Sequence, residues 1–283
     1  MNISSDWKEY ELLEMKNGMK KERWGDTILV RPDPQIIWND DTDFSNYDAI
    51  YHRNVTGGGY WEYIKELKPW EVKYKDLTFN IKTMGFKHTG LFPEQAYNWD
   101  YMIDKIKNSN RKIKVLNLFA YTGGATVACL YAGASVCHVD SSKGMVSWAK
   151  GNVKSSNLED KDVRYIVDDV IKFVEREIRR GNKYDAIIMD PPSYGRGTNK
   201  EVWSIEKDLY NLVELCNKLL TDNPLFFIIN SYTTGLSSKV LENILRLVIK
   251  NAGNFNCGEL GLPMKDSDLV LPCGIYARWE SND

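Results

Sequence analysis

The chain lacks several features that would have pointed to particular classes of protein. It has no CxxC pair, and its five cysteines are odd in number. This argues against a disulfide framework and against a structural zinc site, so no metal is expected. No apolar run is long enough to span a bilayer, and Met1-Asn-Ile-Ser-Ser-Asp6 carries no signal-peptide pattern. The cytoplasm is therefore the expected compartment, with no membrane partner. Positive charge is not in surplus either: the net charge is −2, whereas a dedicated nucleic-acid binder is commonly basic. Basic clusters from Lys16 to Arg23, Arg111 to Lys114 and Arg176 to Lys183 exist, but runs of this size are usually solvated faces. Internal repeats and low-complexity linkers are missing as well.

What is present is ordinary for a globular chain. Of its 283 residues, 43% are hydrophobic and 27% charged, enough for a full α/β domain with a smaller one beside it. Residues 1–100 have a β texture, with short alternating stretches such as Thr27-Ile-Leu-Val-Arg31 and Leu77-Thr-Phe-Asn-Ile81. Turn signals separate them, including Asn17-Gly18 and Arg31-Pro-Asp-Pro34. The tryptophans here (Trp7, Trp24, Trp38, Trp61, Trp70) read as the core of a small β domain rather than as a base-stacking surface.

From Ile113 onward the pattern changes. Val115-Leu-Asn-Leu-Phe-Ala-Tyr-Thr-Gly-Gly-Ala125 is an apolar strand, a glycine turn and the start of a helix. The turn glycines let backbone approach a ligand, and the free N–H groups at the helix start favour an anion. Ser135-Val-Cys-His-Val-Asp140 is a second strand ending in an acid, followed by a helix with Val146, Ala149 and Val153 on one face. Val163-Arg-Tyr-Ile-Val-Asp168-Asp169-Val170 gives a third strand with acids at its end. Lys183 to Met189 gives a fourth, running into Asp190-Pro191-Pro192-Ser193-Tyr194. Four strands with polar C-terminal ends suit one ligand spread along one sheet edge, and a nucleoside cofactor fits best. In the tail, 238–250 reads as a helix with Val240, Ile244, Leu245 and Val248 as its apolar set. A fifth strand, Leu225-Phe-Phe-Ile-Ile229, precedes that helix and two further strands follow it, for seven in all.

A glycine turn, an acid, an acid and an Asp-Pro-Pro, in that order, resembles the class I S-adenosylmethionine (SAM)-dependent methyltransferases. Leu116-Asn-Leu-Phe-Ala-Tyr-Thr-Gly-Gly124, Val139-Asp-Ser-Ser-Lys143 and Met189-Asp-Pro-Pro192 look more narrowly like the bacterial large-subunit rRNA methyltransferases, from about Gly85 onward. The resemblance implies a Rossmann-like α/β fold with a seven-stranded sheet over 101–283, preceded by the β-rich domain at 1–100. It implies SAM as cofactor and RNA, rRNA foremost, as substrate. Phe119, Tyr121, Thr122, Gly123 and Gly124 would meet the methionine end of SAM. Asp140, with Ser141, Ser142 and Lys143 alongside, would hold the ribose. Asp168 and Asp169 would accept from the adenine amine, and Val170 would offer a backbone N–H. For Asp169 a plain helix N-cap is the competing reading. His88, Phe92 and Gln95, in the segment before the first of these strands, would help close the pocket.

Asp190, Pro191, Pro192, Ser193 and Tyr194 are the expected catalytic set. In loops of this type acceptors grip an amine while an aromatic stacks on the base, and two prolines stiffen the chain and leave carbonyls without competing donors. Tyr194 stands one place later than in the tightest form of the motif. Cytosine-C5 methylation needs a cysteine nucleophile, and the fifth strand ends in Asn230-Ser231-Tyr232, so nitrogen is the expected atom. The expectation is thus an RNA nucleobase methyltransferase. A small-molecule or protein methyltransferase and a non-catalytic SAM- or RNA-binding scaffold stand as alternatives.

Overall fold

The computed structural model describes residues 1–55, 57–196 and 202–282. Two compact units divide the chain: Met1–Tyr97 with Leu260–Cys273, and Asn98–Glu259 with Gly274–Asp283.

The first unit holds β1 (Asn2–Ile3), β2 (Tyr10–Lys16), β3 (Met19–Trp24), β4 (Thr27–Pro32), β5 (Ala49–Arg53), β6 (Gly59–Tyr63), β7 (Trp70–Tyr74) and β8 (Leu77–Ile81). Strands β2 to β6 form one sheet in chain order, and β7 and β8 form a hairpin. Asn17 and Gly18 both take positive φ, 52° and 71°, as a two-residue hairpin turn requires. Trp7, Trp24 and Trp61 are buried, as a core reading of the tryptophans expects, whereas Trp38 is 38% exposed. A buried ion pair sits among them. Arg31 donates to Glu22 at 2.6 and 2.9 Å, and the Tyr10 hydroxyl donates to it at 2.8 Å. Burial opposes ionisation of Glu22, but Arg31, Lys20 and Tyr10 outweigh it and hold the carboxyl at about 2. The late segment joins this unit through β1, whose Asn2 and Ile3 pair with Leu260 and Gly261.

The second unit alternates strands and helices: α1 (Ala96–Asn108), β9 (Lys114–Leu118), α2 (Gly124–Tyr131), β10 (Ser135–Asp140), α3 (Lys143–Ser155), β11 (Val163–Val167), α4 (Val170–Arg179) and β12 (Ala186–Met189). The short pair β13 (Tyr194–Arg196) and β14 (Val202–Ser204) precedes α5 (Ile205–Asn217), β15 (Phe226–Ser231) and α6 (Ser238–Val248). The strands β16 (Gly253–Pro263) and β17 (Val270–Ser281) end the fold and run through both units. Eight strands form the large sheet in the order β1-β16-β17-β15-β12-β9-β10-β11, the seven expected and β1 added at the β16 edge. Pairing is parallel from β15 to β11, and β17 is antiparallel to β15. Every residue of β12 and β15 is buried, and Ala186 to Met189 and Phe226 to Ile229 read as unbroken apolar runs before the buried polar Asn230 and Ser231.

In α3 the expected Val146, Ala149 and Val153 are buried. In α6 the inward set is Leu241, Leu245 and Val248, while Val240 is 43% exposed. The difference is one residue of helical phase. Leu241 takes the core position in place of Val240, while Leu245 and Val248 are inward as expected and Ile244 packs partly buried against the core.

Candidate active site

The strand order reverses between β9 and β12, and the register brings their ends level. Leu118 pairs with Val139 and with Met189, Met189 pairs with Ile229, and Asp140 pairs with Val167. The next residues along each strand (Phe119, Asp140, Asp168, Asp190 and Asn230) therefore meet at one edge of the sheet, where open α/β sheets bind ligands.

The loop after β9 is held in an unusual backbone. Phe119, Tyr121 and Gly123 alternate through the left-handed region, with φ of 51°, 50° and 82°. For the two aromatic residues this costs about 1–2 kcal/mol each, so the surroundings must fix it. They do so with hydrogen bonds. Ala120 N donates to Val139 O at 3.0 Å, Tyr121 N to Asp140 Oδ2 at 2.8 Å, and Asn152 Nδ2 to the Thr122 carbonyl at 2.8 Å. A Cβ on Gly123 would lie 2.9 Å from Ala149 Cβ, and one on Gly124 would lie 2.8 Å from Trp99 Cζ2. The glycines are thus required by packing against α3 and α1. Gly123 caps α2 without any side chain, which leaves the N–H groups of that helix start to an anion.

Beneath the loop runs a buried polar chain. Asn117 Nδ2 donates to Thr126 Oγ1 at 3.0 Å, and Thr126 Oγ1 lies 2.9 Å from His138 Nδ1. Burial pulls the His138 imidazole down to about 4, against a weaker opposing pull by the Tyr121 backbone carbonyl, so it is neutral near pH 7.

Asp140 staples two loops. Its Oδ2 accepts from Tyr121 N and its Oδ1 from Ser142 N, both at 2.8 Å. Burial raises its pKa while the two N–H donors pull the other way. Each oxygen keeps a lone pair for a hydroxyl. Ser142 is the N-cap of α3, accepting from Met145 N at 3.4 Å, and Ser141 and Lys143 are exposed beside it.

At the third strand end, Asp168 accepts from Asp169 N at 2.8 Å and forms an ion pair with Arg176. Asp169 caps α4 by accepting from Lys172 N at 3.0 Å, so its N-cap reading is realised. Val170 opens the helix with an N–H that has no intrahelical acceptor.

At the fourth, Asp190 N donates to Leu118 O at 3.4 Å. Pro192 does not offer a carbonyl without a competing donor: it accepts from Trp203 Nε1 at 2.6 Å. The sequence pattern misses this because Trp203 reaches back from β14. The Trp203 ring also lies 5.2 Å from that of Phe119, which ties the Pro-Pro loop to the loop after β9. Ser193 Oγ lies 2.7 Å from Thr233 Oγ1, just past β15, and Tyr194 on β13 is 55% exposed.

A family model described as S-adenosylmethionine-dependent methyltransferase matches residues 48–248. The chain belongs to that family. The crystal structure of a SAM-dependent methyltransferase from Agrobacterium tumefaciens is 35% identical, covers 99% of this chain and 92% of its own, and superposes with a TM-score of 0.93. Among curated relatives, the ribosomal RNA large subunit methyltransferase K/L of Shewanella frigidimarina is 32% identical over 147 residues, 51% of this chain. That of Syntrophotalea carbinolica is 29% identical over 203 residues, 67% of this chain. The chain covers only 20% and 28% of the lengths of these two relatives.

The residues of this methyltransferase suit SAM. An uncapped helix start fits a carboxylate, the spare lone pairs of Asp140 fit a ribose diol, and the Val170 N–H with the second oxygen of Asp169 fits an adenine edge. Among the described residues, no group of three or more His, Cys, Asp or Glu is placed to hold a metal. Nor is any helix long and apolar enough to cross a membrane.

His88, Phe92 and Gln95 form a group of their own in the first unit. The His88 and Phe92 rings are 5.4 Å apart, and Gln95 is buried in the short helical turn Pro93–Gln95. Burial, then the nearby cations Arg31, Lys87, Lys20 and Arg53, bring His88 down to about 4. Sequence reasoning missed Asn152, His138, Thr126, Trp99, Arg176 and Trp203. One of these left a trace, since His138 is a polar residue set into the apolar run Val136 to Val139.

Proposed function

We propose that this methyltransferase acts on a nucleobase in RNA, rRNA foremost, and on a nitrogen rather than cytosine C5. The Asp190-Pro191-Pro192 loop at the switch point of the sheet carries this reading, and the names of the curated relatives support it. Phe119 to Gly124 hold the methionine end of SAM, Asp140 the ribose, and Asp169 with Val170 the adenine. The family resemblance counts His88, Phe92 and Gln95 among the cofactor-binding residues, and takes 1–100 and 101–283 as the β-rich and methyltransferase domains.

SAM supplies a methyl group made electrophilic by the sulfonium. The chain must align an acceptor nitrogen with it and remove one proton. The Asp190 carboxylate and the loop carbonyls orient the base amine so that its lone pair points at the methyl carbon, and Tyr194 stacks on the ring. Bound SAM would give up its methyl group to the nitrogen in exchange for its S–C bond, and Asp190 is placed to accept the proton that the nitrogen sheds. The C5 route needs a thiolate. Burial raises the thiols of Cys129, Cys137, Cys216, Cys257 and Cys273, with Cys137 pushed up to about 11, which leaves them poor nucleophiles.

The test compares modified nucleosides by mass spectrometry in total RNA from a strain lacking the gene and from its parent. One methylated nucleoside disappears, and returns with the wild-type gene but not with Asp190→Ala. An unchanged profile would overturn the RNA reading in favour of a small-molecule or protein substrate, which the net charge of −2 favours.

A further inference from the structure

The Asp190-Pro191-Pro192-Ser193 loop has few N–H groups with which to anchor itself, since neither proline carries one. Asp190 N reaches Leu118 O at 3.4 Å, longer than a usual backbone bond. The loop is held further through its acceptors and one side chain. Trp203 Nε1 donates to Pro192 O at 2.6 Å and Ile205 N to Ser193 O at 3.1 Å, both from the chain that follows the loop. Another bond comes from a different element: Ser193 Oγ and Thr233 Oγ1, 2.7 Å apart, join the loop to the chain just past β15.

Thr233 is itself fixed on both sides. Its N–H donates to Ser231 Oγ at 3.1 Å, and Ser231 is a fully buried residue of β15. Its carbonyl accepts from Leu236 N at 3.3 Å, which closes a turn over 233–236. Gly235 in that turn has φ of 83°, as the third position of a type II turn requires. With its backbone held and a β-branched side chain stiff at χ1, the Thr233 hydroxyl has few directions open to it. Register brings this anchor level with the loop: Met189 pairs with Ile229, so β12 and β15 leave the sheet side by side.

We propose that Thr233 is a positioning residue for methyl transfer: through Ser193 it fixes where the Asp190-Pro191-Pro192 loop presents its acceptors to the substrate amine. The inference rests on the reading of that loop given above and adds what holds it. In-line transfer tolerates little error in the direction of the acceptor nitrogen, so a clamp next to the prolines acts on the rate and not on cofactor binding. The serine that precedes Tyr194 is thus one half of a clamp and not a spacer.

The test measures labelled methyl transfer from SAM to total RNA of the deletion strain, with SAM titration and urea unfolding of each variant beside it. Thr233→Val keeps the shape of the side chain and removes the hydroxyl. Its kcat falls about fivefold, the effect of one hydrogen bond, while SAM affinity stays within about twofold. Thr233→Ser keeps the hydroxyl and restores most of the rate. Ser193→Ala combined with Thr233→Val loses no more than Ser193→Ala alone, since each removes the same bond. The indole N–H resonance of Trp203, identified by its loss in Trp203→Phe, shifts in Thr233→Val and returns in Thr233→Ser, because the Pro192 carbonyl it meets moves with the loop. Full rate in Thr233→Val, additive losses, or an equal fall in SAM affinity would overturn the clamp and leave the RNA reading standing. If the wild type methylates no RNA, that reading falls and the Trp203 resonance decides the clamp: an unmoved signal overturns it, and a shift restored by serine upholds it.

Discussion

Tyr121 N donates to Asp140 Oδ2 at 2.8 Å, so the acid at the end of β10 helps to hold the left-handed turn after β9. A carboxylate assigned to the ribose therefore also fixes the loop assigned to the methionine. Asp140→Asn turns an amide nitrogen toward one of two backbone donors and leaves that N–H unsatisfied, at about 1–3 kcal/mol. SAM affinity falls at least about tenfold. Calorimetric titration of SAM into the variant checks this, and an unchanged Kd would show that the acid does not serve the cofactor.

Gly124→Ala puts a methyl 2.8 Å from Trp99, a buried ring on α1. Alanine is the better helix former, but overpacking of about 1–3 kcal/mol outweighs that gain. The urea midpoint falls, and Trp99→Phe combined with Gly124→Ala recovers part of the loss. Independent, additive effects would mean that the two residues do not meet.

His138 gives a pH dependence with a definite sign. Its imidazole is near 4 in the folded chain and near 6.5 when unfolded, so between those values only the unfolded state takes up the proton. Its contribution is complete above about pH 6.5 and is lost as pH falls toward 4. Between pH 7 and pH 5 it removes about 2 kcal/mol. His88 shares this window, so the comparison is wild type against His138→Asn by denaturant unfolding at both pH values. The variant should show a pH loss smaller by about that amount. Equal losses would count against a buried neutral His138.

Trp203→Phe removes the donor to the Pro192 carbonyl while keeping a ring against Phe119. A neutral hydrogen bond contributes about 1 kcal/mol, so kcat falls about fivefold while SAM affinity stays within about twofold. Single-turnover methyl transfer and SAM titration separate the two quantities. A matching loss in both would mean that Trp203 supports the cofactor loop instead.

The order of strands and the acids at their ends were legible because each is a local signal: an apolar run, a glycine turn, a carboxylate one residue beyond. Asp140 and the 119–124 turn belong to this class. Trp203 at Pro192 and Arg176 at Asp168 do not, because each joins residues that only the tertiary fold brings together. In α6 the phase slipped by one residue, since Val240 and Leu241 are equally apolar and packing alone chooses between them. Leu260–Cys273 read as ordinary tail strand, and nothing in its composition marks it as part of the first unit.

That late segment has a consequence for biosynthesis. A ribosome delivers Asn2 and Leu12 early and their partners Leu260 and Met264 near the end. The β17 residues that pair with β15 emerge later still. The β16 and β17 strands thus complete both units, and neither can close before they have been made. The two units are therefore completed by the same late stretch of chain instead of one after the other. Until β16 and β17 emerge, β1 and β15 each keep an unpaired edge, and the nascent chain relies on the cell to keep those edges apart from other strands.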